Sequence, residues 1–205
     1  YILFSFKYKM KVVISKKELL NLKILGKNEY EVNGQISVEN GKITDVKHQI
    51  GQMMDPCWTG CTINFHTHPP DYENLYPDHP STTDYIYIHR ATCTMKELSS
   101  HMVITPKYVY VIWYKCPNIL SRIANIFVLQ RKIENIFAVL SEMYDRSTED
   151  FRQAYMNEMR KLGFHIDRFE YNKSIELDLP ESGVSYLTYV IIVIIMLVAL
   201  RRFFL

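Results

Sequence analysis

The chain has 205 residues, 48% of them apolar, 22% charged and 13% aromatic, with 24 basic and 22 acidic side chains for a net charge of +2. These fractions are those of a globular protein, which excludes wholesale disorder, collagen and coiled coil, and the length suits one compact domain plus an appendage. A near-neutral balance gives no electrostatic basis for nucleic acid as a main partner.

Residues 1–9 are apolar but short and aromatic, with no small-residue cleavage site, so no secretory signal is expected. Met10 is a candidate initiator. Val12-Val13-Ile14 reads as a short strand. Ser15 then suits the N-cap of a helix over Lys16–Leu25, closed by Gly26. Tyr30–Val38 and Lys42–Val46 read as strands around the Glu39-Asn40-Gly41 turn, because Asn-Gly between apolar runs is a strong hairpin signal. Cys61–Phe65 reads as a strand leading directly into His66-Thr67-His68-Pro69, followed by a loop rich in Pro, Asp and Tyr. A helix is expected from Ser81 or Thr82, with Asp84 in its first turn. Met102–Ile104 and Tyr108–Tyr114 suggest a hairpin across Thr105-Pro106-Lys107.

A long amphipathic helix is expected over about 118–145, its apolar stripe running from Ile119 through Phe127, Leu129, Ile133 and Phe137 to Leu140. Ser147 and Asp150 have capping-box spacing for a second helix over 148–162, stopped by Gly163. Phe164–Tyr171 alternates like a last strand. Residues 172–183 read as a polar linker. Val184–Leu200 carries no charge, and seventeen helical residues rise about 25 Å, near the short limit for a bilayer core. Arg201 and Arg202 can snorkel beyond it, and Tyr186 and Tyr189 suit an interfacial belt. The expected organisation is therefore a domain over 10–171, a linker over 172–183 and a single transmembrane anchor over 184–202, with the domain in the cytosol. The positive-inside rule argues against that orientation, because Arg201 and Arg202 follow the anchor while Glu176, Asp178 and Glu181 precede it.

The chemistry is concentrated around His66 and His68. Two histidines at i and i+2 after an apolar strand project to one side of an extended backbone, so both imidazoles can reach one ion. Two His and a carboxylate are a common catalytic zinc set with one open position. A general base, typically a Glu that is not a ligand, must then take a proton and pass it to a leaving amine.

The full pattern, Glu31-x-x-Gly34, then His66-x-His68-Pro69, then Ser81-x-x-Asp84, resembles the signature of the JAMM/MPN+ metalloproteases. These include zinc isopeptidases acting on ubiquitin and ubiquitin-like conjugates. The similarity of layout spans about residues 10–115. It implies an α/β fold with a cytidine-deaminase-like curved mixed sheet flanked by helices, and one Zn2+ per chain. It implies His66, His68 and Asp84 as metal ligands, Ser81 as the oxyanion-supporting hydroxyl and Glu31 as the general acid/base. It also implies ubiquitin or ubiquitin-like conjugates as partners.

Glu29 competes for the role of Glu31, since residues two apart share a strand face. Eleven residues, Pro70–Pro80, separate Pro69 from Ser81 where the family has about six. His79 in that loop is expected to be solvated, with substitution as a ligand the alternative. Cys57-x-x-x-Cys61 is expected to pack rather than bind a second metal. An inactive scaffold that binds a partner, and a peptidase with a substrate unrelated to ubiquitin, are the other functions compatible with this pattern.

Overall fold

A computed structural model describes residues 9–51, 63–69, 78–95, 100–114 and 121–180. The expected anchor over 184–202, the Cys57/Cys61 pair and most of the 70–80 loop lie outside them. Among the described residues no helix is long and apolar enough to cross a membrane.

The architecture is mixed α/β. Its elements run β1 (Lys9–Ile14), α1 (Lys16–Leu25), β2 (Val32–Glu39), β3 (Lys42–Ile50), β4 (Ile63–Thr67), α2 (Thr82–Met95), β5 (Ser100–Ile104), β6 (Tyr108–Tyr114), α3 (Ser121–Met143), α4 (Glu149–Lys161), β7 (Phe164–Glu170) and β8 (Ile175–Pro180). All eight strands form one sheet in the order β7-β6-β5-β4-β2-β3-β1-β8. Laid flat, seven spacings of about 4.8 Å would separate its edges by about 34 Å. The edge strands β7 and β8 are nevertheless consecutive in the chain. The link from Glu170 to Ile175 reaches at most about 18 Å, so the sheet must curl until its edges approach. The Tyr171 hydroxyl fastens this link by donating to the Thr105 carbonyl at 2.6 Å.

Local chemistry explains several boundaries. Ser15 and Glu18 form a complete capping box at the start of α1. Asn40 and Gly41 both have positive φ (51° and 75°), the backbone of a type I′ hairpin turn between β2 and β3. A Cβ on Gly34 would stand 2.2 Å from the Phe65 ring and 2.6 Å from the Lys47 carbonyl. Only glycine on β2 lets Phe65, its cross-strand neighbour on β4, lie across the sheet surface.

The sheet has apolar side chains on both faces. One face, with Val12, Ile36, Phe65, Met102, Ile104 and Val111, packs on Leu19 and Leu22 of α1. The other, with Val103, Tyr110, Ile112, Phe164 and Ile166, packs on α2, α3 and α4 through residues such as Tyr85, Ile133, Phe151 and Tyr155.

Four expectations need correction. Residues 172–183 are not simply a linker. Ile175, Leu177 and Leu179 alternate with polar residues, are buried, and pair β8 antiparallel to β1, which extends the domain to Pro180. The β2 strand starts at Val32 rather than Tyr30, leaving Glu29 exposed and both it and Glu31 ahead of the strand. Thr148, not Ser147, caps α4 by accepting from Phe151 N, while the Ser147 hydroxyl donates to Asp145. Phe127 on α3 is 73% exposed. It lies about 200° around the helix from Leu129, hence off the buried stripe.

Candidate metal centre

Strand β4 places the first ligands. It pairs antiparallel with β2 and parallel with β5, so His66 lies between Asn33 and Val103. The strand extends through His66 to Thr67, two residues further than the sequence pattern suggests. Alternation turns Ile63, Phe65 and Thr67 toward the α1 face and Asn64 and His66 toward α2. The Thr67 hydroxyl accepts from Val32 N at 2.9 Å, and His68 N donates to the Ile104 carbonyl at 2.8 Å. These bonds hold the backbone between the two imidazoles.

Asp84 arrives from the opposite direction on the first turn of α2. Ser81 N donates to Asp84 Oδ2 at 2.6 Å, and Asp84 N donates to Ser81 Oγ at 3.2 Å. The Ser-x-x-Asp spacing is thus a capping box that starts the helix and also orients the carboxylate. Because Oγ serves the cap as an acceptor, the Ser81 O–H remains a donor.

His66 Nε2 lies 3.0 Å from His68 Nε2 and 3.2 Å from Asp84 Oδ1, and His68 Nε2 lies 3.6 Å from Asp84 Oδ2. An ion held tetrahedrally at about 2.0–2.1 Å from each ligand requires ligand edges of about 3.4 Å. The observed separations, which involve both Asp84 oxygens, run from 3.0 to 3.6 Å, and one ligand atom from each residue lies within 4.8 Å of the others. All three residues are buried, and among the described residues they are the one group of His, Cys, Asp and Glu side chains able to hold an ion together. A metal ion therefore fits the site.

The charges agree with a cation site. Burial alone would push the Asp84 carboxyl up, but the neighbouring His66 and His68 hold it well below the usual carboxylate range. Burial alone would push His66 down. The Asp84 carboxylate overrides this and raises it, with a further contribution from Glu31. Glu31 therefore lies within electrostatic reach of His66. It sits immediately before β2, where its carbonyl accepts from Gly51 N at 2.9 Å. Its competitor Glu29 is exposed.

The chain thus brings His66, His68, Asp84 and Ser81 into one hydrogen-bonded cluster with Glu31 at its margin. It also adds a residue that sequence reasoning passed over. His101 Nε2 is 2.8 Å from His66 Nδ1. The available signal was a lone imidazole directly before the apolar run Met102-Val103-Ile104.

His79 departs from expectation in another way. It is 1% exposed rather than solvated, with its ring against Phe151 and Tyr155 and its Nδ1 donating to the Pro80 carbonyl at 2.8 Å. The preceding Asp78 is fastened too. Its carbonyl accepts from the Tyr110 hydroxyl at 2.6 Å and its carboxylate meets Lys107 at 2.6 Å. His79 is not part of the ligand cluster. Burial pushes its pKa down to about 4, the Pro80 carbonyl and Asp84 opposing and His68 and Arg152 assisting.

In the unfolded chain that pKa is about 6.5, so between those values the unfolded state binds a proton that the folded state refuses. Stability contributed by His79 is therefore complete above pH 6.5 and falls as pH falls toward 4. By pH 4.5 the loss from this side chain should reach about 2–3 kcal/mol. His101, pushed to about 3 by burial and by His66, adds to the slope in the same window. Urea unfolding of the metal-free protein at pH 7 and 4.5 should show this loss, with a clearly shallower pH dependence in His79→Phe. Equal slopes in the two proteins would mean that His79 is not buried in its neutral form.

No family model, curated protein or solved structure matches the chain.

Proposed function

We propose that the protein is a zinc-dependent isopeptidase that hydrolyses ubiquitin or ubiquitin-like conjugates, held at a membrane by the apolar segment 184–202. The observation that carries this reading is the convergence of His66, His68 and Asp84 at ligand spacing, with the Ser81 hydroxyl bonded to the Asp84 amide and the Glu31 charge within electrostatic reach of His66. The substrate class and the choice of zinc come from the resemblance of Glu-x-x-Gly, His-x-His-Pro and Ser-x-x-Asp to the JAMM signature.

Zinc would supply a Lewis acid that makes water nucleophilic near neutral pH. The chain supplies the rest. His66, His68 and Asp84 would hold the ion. The Glu31 carboxylate takes a proton as a water oxygen bonds to the isopeptide carbonyl carbon. Ser81 donates its O–H to the oxyanion that develops on the carbonyl oxygen, help of a kind commonly worth about 10²–10³ in rate. As the C–N bond breaks, Glu31 returns its proton to the leaving lysine amine, so the proton count closes within the site. Tethering at a membrane would raise the effective concentration of substrates on the same surface.

The test is incubation of the full chain with linkage-defined ubiquitin chains, with zinc supplied and with zinc removed by chelator. Chelator-sensitive cleavage is the expected result. Zinc uptake without cleavage of any chain would move the activity to a different substrate. Neither uptake nor cleavage would leave a partner-binding scaffold and overturn the proposal.

A further inference from the structure

The hydrogen bond between His66 and His101 determines where protons sit around the metal centre. His66 Nε2 faces His68 Nε2 at 3.0 Å and Asp84 Oδ1 at 3.2 Å, so this is the nitrogen that must offer its lone pair to an ion. The ring proton of a neutral His66 is then on Nδ1. That atom points at His101 Nε2, 2.8 Å away, with the two rings 5.0 Å apart between centroids. For the bond to form, His101 Nε2 must be the acceptor, which places the His101 proton on Nδ1. Both rings are buried, 6% and 4% exposed, so water is a poor substitute partner for either. His101 is held in turn. It projects from β5, where it pairs with Asn64 of β4, and the Tyr87 ring of α2 meets it edge-on at 5.3 Å.

A histidine that ligates a metal nearly always donates its second ring N–H to a partner that sets the tautomer and orientation of the ligand, most often a carboxylate, a backbone carbonyl or water. Here the partner is a second imidazole, which carries no negative charge. It can orient His66 as a carboxylate would, and being neutral it would withdraw less of the ligand's proton.

We propose, on the basis of the metal-centre reading above, that His101 is a positioning residue of that centre: its Nε2 locks His66 as the Nδ1–H tautomer and presents the His66 Nε2 lone pair to the ion. His101 touches neither ion nor substrate in this role and acts only through His66.

The experiment measures zinc affinity of the full chain by competition with a chromophoric chelator, for the wild type, His101→Leu and His101→Gln. Leucine removes the acceptor, while the Gln amide oxygen can reach the position of Nε2. Leu should weaken zinc binding by about 10–100-fold, and Gln should remain within a few-fold of the wild type. Unchanged affinity in His101→Leu overturns the positioning role while leaving the metal centre intact, and so does a Gln variant as weak as Leu. A wild type that binds no zinc overturns both this proposal and the reading on which it rests. Should the variants fail to fold, long-range proton–nitrogen NMR of the zinc-loaded wild type gives a direct answer. Protons on Nδ1 of both His66 and His101 are expected, and a proton on Nε2 of either ring overturns the proposal.

Discussion

Asp84→Asn should strip the centre of its affinity for a metal ion while leaving the fold intact. The amide oxygen of Asn can still accept from Ser81 N, so the start of α2 survives. What disappears is the negative charge that sits 3.2 Å from His66 Nε2 and 3.6 Å from His68 Nε2. Partners one step removed from a metal typically change its affinity 10–100-fold, and a direct ligand should exceed that range. Zinc affinity is accordingly expected to fall by more than about 100-fold, and the metal-free protein should also lose the stability that the pairing of Asp84 with His66 supplies.

Glu31→Gln should do the reverse. Glu31 is outside the ligand cluster, so metal content should hold within a few-fold, while turnover falls by about 10²–10⁴, the usual worth of a general acid/base. Metal analysis and a cleavage assay on the same two preparations separate binding from proton transfer. Should Glu31→Gln retain full turnover, the base would have to be another group.

Ending the chain at Asn172 should abolish folding. That truncation deletes β8, which pairs with β1 along six residues from Lys9 to Ile14. It removes Ile175, Leu177 and Leu179, each no more than 2% exposed, from the core shared with Val12 and Ile14. At about 1.5–3 kcal/mol for each buried aliphatic side chain, the loss is about 5–9 kcal/mol. Domains of this size are stable by only about 5–15 kcal/mol in total. The truncation would also expose the edge of β1 and invite strand-to-strand aggregation. Far-UV circular dichroism of fragments ending at 172 and at 180 checks this, the longer one being expected to fold. A fully folded 172 fragment would show that β8 is dispensable.

The truncation also shows where local reading runs out. Ile175-Glu-Leu-Asp-Leu has the period-2 alternation of a strand, but stands among Asn, Lys, Ser, Pro and Glu and reads as a linker when taken alone. What makes it a strand is β1, more than 150 residues away, whose free edge the curled sheet brings to it. His79 is a similar case. A loop histidine flanked by Asp and Pro reads as solvated, yet Phe151 and Tyr155 of α4 close over it.

Features confined to one turn of chain were legible from sequence. The Asn40-Gly41 hairpin, the Ser15 cap and the projection of His66 and His68 to one side follow from backbone preference and side-chain period alone. The same holds for Ser81 and Asp84, whose three-residue spacing is that of a capping box whatever else the pair does. Spacing left open what those pairs face. The tertiary structure decided that Asp84 comes within 3.2 Å of His66 across the gap between α2 and β4, and that His101 lies behind His66 on the neighbouring strand. It also put the Glu31 charge within electrostatic reach of His66. The division has a physical cause. Caps, turns and side-chain direction are settled by energies within a few residues. Strand order and cross-strand neighbours are instead set by the burial of whole faces against partners distant in sequence, which no short window of the chain contains.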